Sequence, residues 1–153
     1  MTTWRVTKDL FKYLKLILRH SYSLWKMTIL RKKTKSDVKL FSEWLHKENE
    51  DRLIEDIEKD KLDHYLARFF LSVRNRRGEE YEPDTLKSFQ ASVSRYLMEK
   101  TKTNIMLNRE FTHSRDVLSA KRKDLKGKGY GNRKTRAEPG YWFILSEKLT
   151  QSQ

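Results

Sequence analysis

With 153 residues, of which 37% are hydrophobic, the chain can hold one domain with tails, its core formed from roughly a hundred residues rather than the whole length. Thirty-four Lys and Arg against 21 Asp and Glu leave a net charge of +13, which suits a polyanionic partner, and the lack of cysteine excludes disulfides and thiolate zinc sites. The apolar stretch Tyr13–Leu30 is broken by Lys15, Arg19, His20 and Lys26, so neither a membrane span nor a secretory signal is expected.

The charge is unevenly spread. Residues 1–35 carry ten bases and one acid, residues 36–99 eleven bases and fifteen acids, and residues 100–137 twelve bases and three acids. An acidic body between two basic flanks is what a module docking a polyanion from its edges would need.

In chain order, residues 1–34 come first. Trp4, Val6, Leu10, Phe11, Leu14, Ile17, Leu18, Leu24 and Trp25 approximate helical spacing with lysines between them. Three readings stay open: a solvent-exposed helix against the body, a membrane-surface or mitochondrial presequence, or a leader without stable structure. A first firm helix is expected from an N-cap at Ser36 to about Glu48, burying Val38, Phe41, Trp44 and Leu45. An acidic connector follows, in which Leu53, Ile54 and Ile57 can tuck inward.

The second helix should span Asp60 to Asn75, with Leu62, Leu66, Phe69, Phe70 and Val73 on one face, stopped by a left-handed Gly78. Glu79–Pro83 is extended or turned, because proline disfavours helix in the residue before it. Asp84 or Thr85 then caps a third helix to about Glu99, its stripe being Leu86, Phe89, Val93, Tyr96 and Leu97. A fourth runs from about Asn108 to Lys126, where Phe111, Ser114, Leu118, Lys121 and Leu125 share a narrow face, and Gly127 and Gly129 end it. No β-alternation or repeat is visible. The expected fold is all-α: a small four-helix bundle with basic flanking segments. The organisation reads as a basic leader 1–34, a helical domain 35–126, a basic glycine-containing linker 127–139 and a divergent tail 140–153.

Residues suited to chemistry are scarce. His20, His46, His64 and His113 form no pair at helical ligand spacing, so no metal site and no cofactor is expected, and His64 reads as a surface polar residue. Gly127-Lys128-Gly129-Tyr130-Gly131 lacks the preceding strand and the Lys-Ser/Thr of a phosphate loop. Tyr81, between Glu80 and Glu82, would repel a phosphate and fits a packing role.

The cations carry the remaining signal. Arg115, Lys121, Arg122, Lys126 and Lys128 lie on or just past the fourth helix, Arg133, Lys134 and Arg136 on an arm, and Lys87, Ser88 and Arg95 on what reads as the exposed side of the third helix. Any one of these is most simply a solvated charge. Together they point to duplex DNA, gripped mainly along its phosphates, because an acidic body offers no internal use for so many bases. No small-molecule substrate and no membrane partner is expected of the chain.

One set of segments is recognisable. Trp44-Leu45 is followed by Leu62-Asp63-His64-Tyr65-Leu66-Ala67-Arg68-Phe69-Phe70, then by Val73-Arg74-Asn75-Arg76-Arg77-Gly78-Glu79-Glu80-Tyr81-Glu82-Pro83-Asp84-Thr85-Leu86, Arg95-Tyr96-Leu97 and Arg109-Glu110-Phe111-Thr112-His113-Ser114-Arg115-Asp116-Val117-Leu118. Over about Lys35–Pro139 this order resembles the N-terminal, SAM-like core-binding domain of Crypton-type tyrosine recombinases and of the zinc finger MYM-type proteins derived from such transposons. The resemblance implies a DNA-binding half whose third and fourth helices approach the major groove. It also implies a catalytic half that this chain lacks: no histidine here is followed by Arg three positions on, as the recombinase His-x-x-Arg pair requires. The sequence departs from the pattern after Pro139 and before Lys35. The expected function is a non-catalytic, nuclear DNA-binding module. The alternative is a protein-interaction scaffold in a nuclear or chromatin complex that no longer contacts DNA, and a presequence at residues 1–34 would place the chain in mitochondria.

Overall fold

The computed structural model describes residues 2–132, with side chains described from Thr7 onward. Four helices account for most of it: α1 (Thr2–Lys47), α2 (Lys59–Ser72), α3 (Pro83–Thr101) and α4 (Thr112–Gly127), with 3₁₀ turns at Ile54–Asp56 and Arg109–Phe111. No strand forms among the described residues; the nearest approach is an isolated antiparallel bridge between Arg74 and Glu80. The fold is all-α, as the hydrophobic periodicity predicts. The chain divides into two compact units, Lys32–Arg133 and a second containing Met1–Arg31.

The first of these units is the bundle. Phe41 and Leu45 of α1, Leu62, Leu66, Phe69 and Phe70 of α2, Leu86, Phe89, Val93 and Leu97 of α3, and Leu118 and Leu125 of α4 are all buried, with Phe111 and Val73. Phe69 is the hub, its ring centroid lying 5.0 Å from Phe41, 5.7 Å from Trp44, 5.8 Å from Phe89 and 5.9 Å from Phe70. Each of these edge-on or tilted aromatic pairs adds to plain area burial. Trp44 is half-buried rather than buried, because its indole N–H reaches out to donate to Ser72 Oγ at 3.0 Å.

Several boundaries differ from those the sequence predicts. Ser36 caps nothing: α1 passes straight through it, since no Gly or Pro occurs in residues 1–47 to interrupt the helix. Asp37 points inward and is buried, accepting bonds from Lys33 Nζ at 3.0 Å and Ser92 Oγ at 2.6 Å. In the connector Ile54 and Ile57 do tuck into the core, but Leu53 is 62% exposed. Helix α2 ends at Ser72, three residues early. The Arg74–Glu80 bridge takes over, and Gly78, with φ of 78°, turns the loop inside that bridge rather than ending the helix. Helix α3 starts at Pro83, whose fixed φ and missing N–H suit the first helical position. Ile105, in the α3–α4 connection, is a core residue that no periodic stripe predicts.

Two helix ends show why the chain turns where it does. At the end of α1, Asn49 is left-handed (φ 63°), and the amides of Glu50 and Asn49 donate back to the carbonyls of Leu45 and His46. At the end of α4 the same six-to-one and five-to-two pair runs from Tyr130 to Leu125 and from Gly129 to Lys126, Gly129 supplying φ of 92°. Residues 127–132 are therefore held rather than linker-like: Tyr130 packs on the core, and the Gly131 amide donates to Glu82 at 2.7 Å.

The start of α4 is set by a residue from elsewhere. Asp63 of α2, almost wholly buried, accepts the Ser114 amide at 2.9 Å. A carboxylate there satisfies an orphan donor and meets the positive end of the helix dipole.

In the other unit, residues 7–31 of α1 present large apolar side chains to solvent: Leu10, Phe11, Tyr13, Leu14, Leu16, Ile17, Leu24 and Met27 are all exposed. No helix among the described residues is long and apolar enough to cross a membrane.

Candidate nucleic-acid interface

Helix α4 has two working faces. Phe111, Ser114, Leu118, Lys121 and Leu125 turn toward α2 and α3, while Arg115, Ser119, Arg122 and Lys126 follow one another at separations of four, three and four residues on a neighbouring face. That second stripe borders α3. Lys87, Gln90, Met106, Arg115, Leu118, Ser119 and Arg122 line one shallow groove of about 170 Å³. The structure thus brings together Lys87, Arg115 and Arg122, three of the sequence-selected cations, with two uncharged hydrogen-bonding side chains between them.

These cations are not equivalent. Arg115 Nη1 donates to the carbonyls of Ile105 at 2.8 Å and Asn108 at 2.7 Å, and Nη2 to Thr112 Oγ1 at 3.1 Å. All three acceptors are neutral, and among the described residues no carboxylate pairs with the guanidinium, so it is fixed in place with its charge uncancelled there. Its Nε–H and the second N–H of Nη2 have no partner among the described residues and can meet an anion. Lys87 and Lys126 are exposed and, among the described residues, neither has an acidic partner. Ser88 is half-buried beside Lys87.

The remaining assignments meet internal uses that the sequence did not reveal. Lys121 sits on the buried stripe, its side chain only 10% exposed, and its Nζ lies 2.8 Å from Glu80 Oε1, which Arg74 also contacts at 3.0 Å. The charge holds the Arg74–Glu80 turn against α4. Arg122 donates to the Pro83 carbonyl at 3.2 Å and pairs with Asp84 at 3.1 Å, fastening the start of α3. Lys128 pairs with Asp124 at 2.7 Å, which raises the lysine's pKa and lowers the aspartate's. Arg95 does not lie on an open side of α3: half-buried, it donates to Thr34 Oγ1 at 2.9 Å and Ser92 Oγ at 3.0 Å and stitches α3 to α1. The acidic body, contrary to expectation, does use much of its positive charge internally. Arg133, Lys134 and Arg136 lie outside the described residues.

Two cations that sequence reasoning passed over sit at the tip of the 74–80 turn. Arg76 and Arg77 are exposed and, among the described residues, their side chains have no acid within ion-pair reach. The turn beneath them is rigid: Asn75 Oδ1 accepts the amides of Arg77 at 2.9 Å and Glu79 at 3.0 Å, and Glu80 joins Arg74 and Lys121. The signal was the run Asn-Arg-Arg-Gly, which reads as a turn bearing two arginines rather than as a helix end.

Elsewhere the titratable groups serve the fold. Glu50, with little solvent access, accepts from Arg52 Nε and Nη2 at 2.8 Å each and from the Tyr65 hydroxyl at 3.1 Å; the Arg52 bonds chiefly lower its pKa to about 2. Burial, with a 2.6 Å bond to Glu55, pushes the Tyr96 hydroxyl up to about 12. The rings of His64 and His113 approach to 5.5 Å, yet no group of three His, Asp or Glu side chains gathers to hold a metal among the described residues. No protein-family model, curated protein or solved structure matches the chain.

Proposed function

We propose that the bundle is a non-catalytic module that grips duplex DNA along its phosphate backbone, the reading that its resemblance to the Crypton-type recombinase core-binding domain implies. The observation that carries it is Arg115, held by three neutral acceptors beside Lys87 on a groove between α3 and α4. A cation ordered in advance and left electrically uncompensated binds phosphate without the usual entropy cost of freezing a long side chain. Lys126 extends the same side of α4, and Arg76 and Arg77 offer two more charges on a stiff turn. Ser119, exposed in the groove, is of a side-chain type able to meet a base edge or a phosphate, whereas Gln90 beside it is buried. Nothing in this reading cuts or joins DNA, and it places the protein in the nucleus.

The scaffold reading draws on one specific observation, the internal pairing of Lys121, Arg122 and Lys128 with Glu80, Asp84 and Asp124. It is the weaker of the two, because Lys87, Arg115 and Lys126 have no acidic partner among the described residues.

A gel-shift titration of the full chain on duplex DNA against salt separates them. If about four to six phosphates are neutralised, log K falls with log salt with a slope of about −4 to −5, and Lys126→Ala flattens it by about one. Lys87→Ala changes base preference more than slope if α3 reaches base edges. Supercoiled plasmid incubated with the protein stays intact. A negligible salt slope, or an affinity unmoved in the Lys87→Ala/Lys126→Ala double variant, hands the case to the scaffold.

A further inference from the structure

Residues 7–31 of α1 carry an arrangement that the DNA reading does not absorb. Lys8, Lys12, Lys15, Arg19 and Lys26 are all exposed, at successive separations of four, three, four and seven residues. At 100° per residue these fall within an arc of about 60°. Leu10, Leu14, Ile17 and Leu24 centre on the opposite side of the helix, about 180° away, and every one of them is exposed. Phe11, 65% exposed, and Tyr13, 63% exposed, widen that apolar side. Across the segment six bases face a single acid, Asp9.

We propose that this half of α1 is an interfacial helix that lies in the surface of an anionic lipid bilayer. A broad apolar face beside a row of bases, with aromatic rings among the apolar residues, is the pattern of helices that bury one side among acyl chains and leave the other in the headgroups. The two alternatives fit less of it. Duplex DNA would take the basic row but offers nothing to Leu10, Leu14, Ile17 and Phe11. A second copy of the chain would need a continuous seam at alternating spacings of three and four. Begun at Leu10, Leu14 and Ile17, that seam runs on to Ser21, Leu24, Thr28 and Arg31, so polar groups break it in its second half. Charge complementarity selects the anionic surface: each Lys or Arg near such a leaflet gains attraction that a neutral one does not supply.

The test uses the full chain and floating vesicles, either of phosphatidylcholine alone or with phosphatidylserine at roughly one lipid in three, the range in which anionic leaflets attract basic segments. The protein should float with the anionic vesicles and stay largely behind with the neutral ones. Lys12→Gln/Lys15→Gln/Arg19→Gln should lower the anionic partition roughly a hundredfold, and Leu14→Glu/Ile17→Glu should abolish it. All five positions are exposed, so both variants should keep the parent's melting temperature. Duplex affinity should change little in the Leu14→Glu/Ile17→Glu variant, so failure of the DNA reading and failure of this one are told apart. Flotation unchanged by Leu14→Glu/Ile17→Glu, or no flotation at all, would overturn the proposal. So would a parent that sediments as a dimer which that variant dissociates, or a variant that loses duplex binding instead of lipid binding.

Discussion

Helix α1 contains two stretches with similar hydrophobic periodicity and opposite fates. Between Asp37 and Lys47 the periodic residues Phe41 and Leu45 are buried, and even Asp37 is taken inside because Ser92 and Lys33 meet it. Between Thr7 and Arg31, residues of the same kind at the same spacing stay in solvent. The difference teaches that a stripe announces a need for a partner and says nothing about which molecule provides it. In the bundle the partners are Phe69 and Phe89, tens of residues away; for residues 7–31 the basic row alongside the stripe points outside the chain.

The largest expected effect tests that contrast directly. Phe69→Ala should cost about 3–5 kcal/mol, through lost burial and the cavity left at the meeting point of four aromatic rings. Ile17→Ala, removing an exposed side chain, should stay within about 0.5 kcal/mol. Chemical denaturation of the two variants beside the parent decides it. Comparable losses would mean that residues 7–31 are covered within the protein itself, and the contrast would collapse.

A smaller effect sharpens the picture inside the bundle, where two lysines of α4 five residues apart have different jobs. Lys121→Glu sets a carboxylate against Glu80 in a place with little water and releases the turn that Lys121 and Arg74 hold together. A loss of about 1–3 kcal/mol is expected. Lys126→Glu should leave stability within about 0.5 kcal/mol, because that side chain is exposed and unpaired among the described residues. If thermal melts rank them the other way, Lys121 is not the strut described here. The practical consequence is that charge reversal at Lys121 cannot probe DNA binding, since it perturbs the fold first.

How much of this was legible without coordinates follows from what each signal depends on. The core stripes were readable because burial repeats every three or four residues, and Phe41, Leu66, Phe69, Phe89, Val93, Leu118 and Leu125 all stand where their spacing puts them. Ile105 escaped because it is a lone apolar residue in a connection, with no neighbour in register to give it away. The cations were the least legible. Lys121 belongs to the same three-and-four series as Leu118 and Leu125, which already marked it as inward-facing, but a lysine on such a stripe looks like an interruption until Glu80 is seen opposite. Arg95 and Arg122 depend on Thr34 and on Pro83 and Asp84, contacts spanning tens of residues that no local pattern encodes. Arg76 and Arg77 were legible in the run Asn-Arg-Arg-Gly, but reading Gly78 as a helix stop hid the turn that Arg74 and Glu80 close around them.

The smallest effect concerns pH and isolates one carboxylate at the end of α1. Glu50 follows the left-handed Asn49 and is tied to Arg52 and Tyr65, which hold its pKa near 2 against an ordinary value of 4.5. A group depressed in the folded state binds protons more readily once unfolded, so its stabilising contribution is complete above about pH 4.5 and fades as the pH falls toward 2. The melting temperature of the parent should decline over that window, and Glu50→Gln should flatten the decline while lowering stability modestly at pH 7, because the amide keeps only part of the hydrogen bonding and none of the charge. The exposed half of α1 shows no comparable device among the described residues: Asp9 is its one acid there, and none of them pairs with it as Arg52 pairs with Glu50. Acid should therefore loosen the bundle while the Leu14→Glu/Ile17→Glu substitutions leave the profile's shape unchanged. An unaltered profile in Glu50→Gln would assign the acid sensitivity elsewhere, with the Asp124–Lys128 pair, whose carboxylate is also lowered, the next to test.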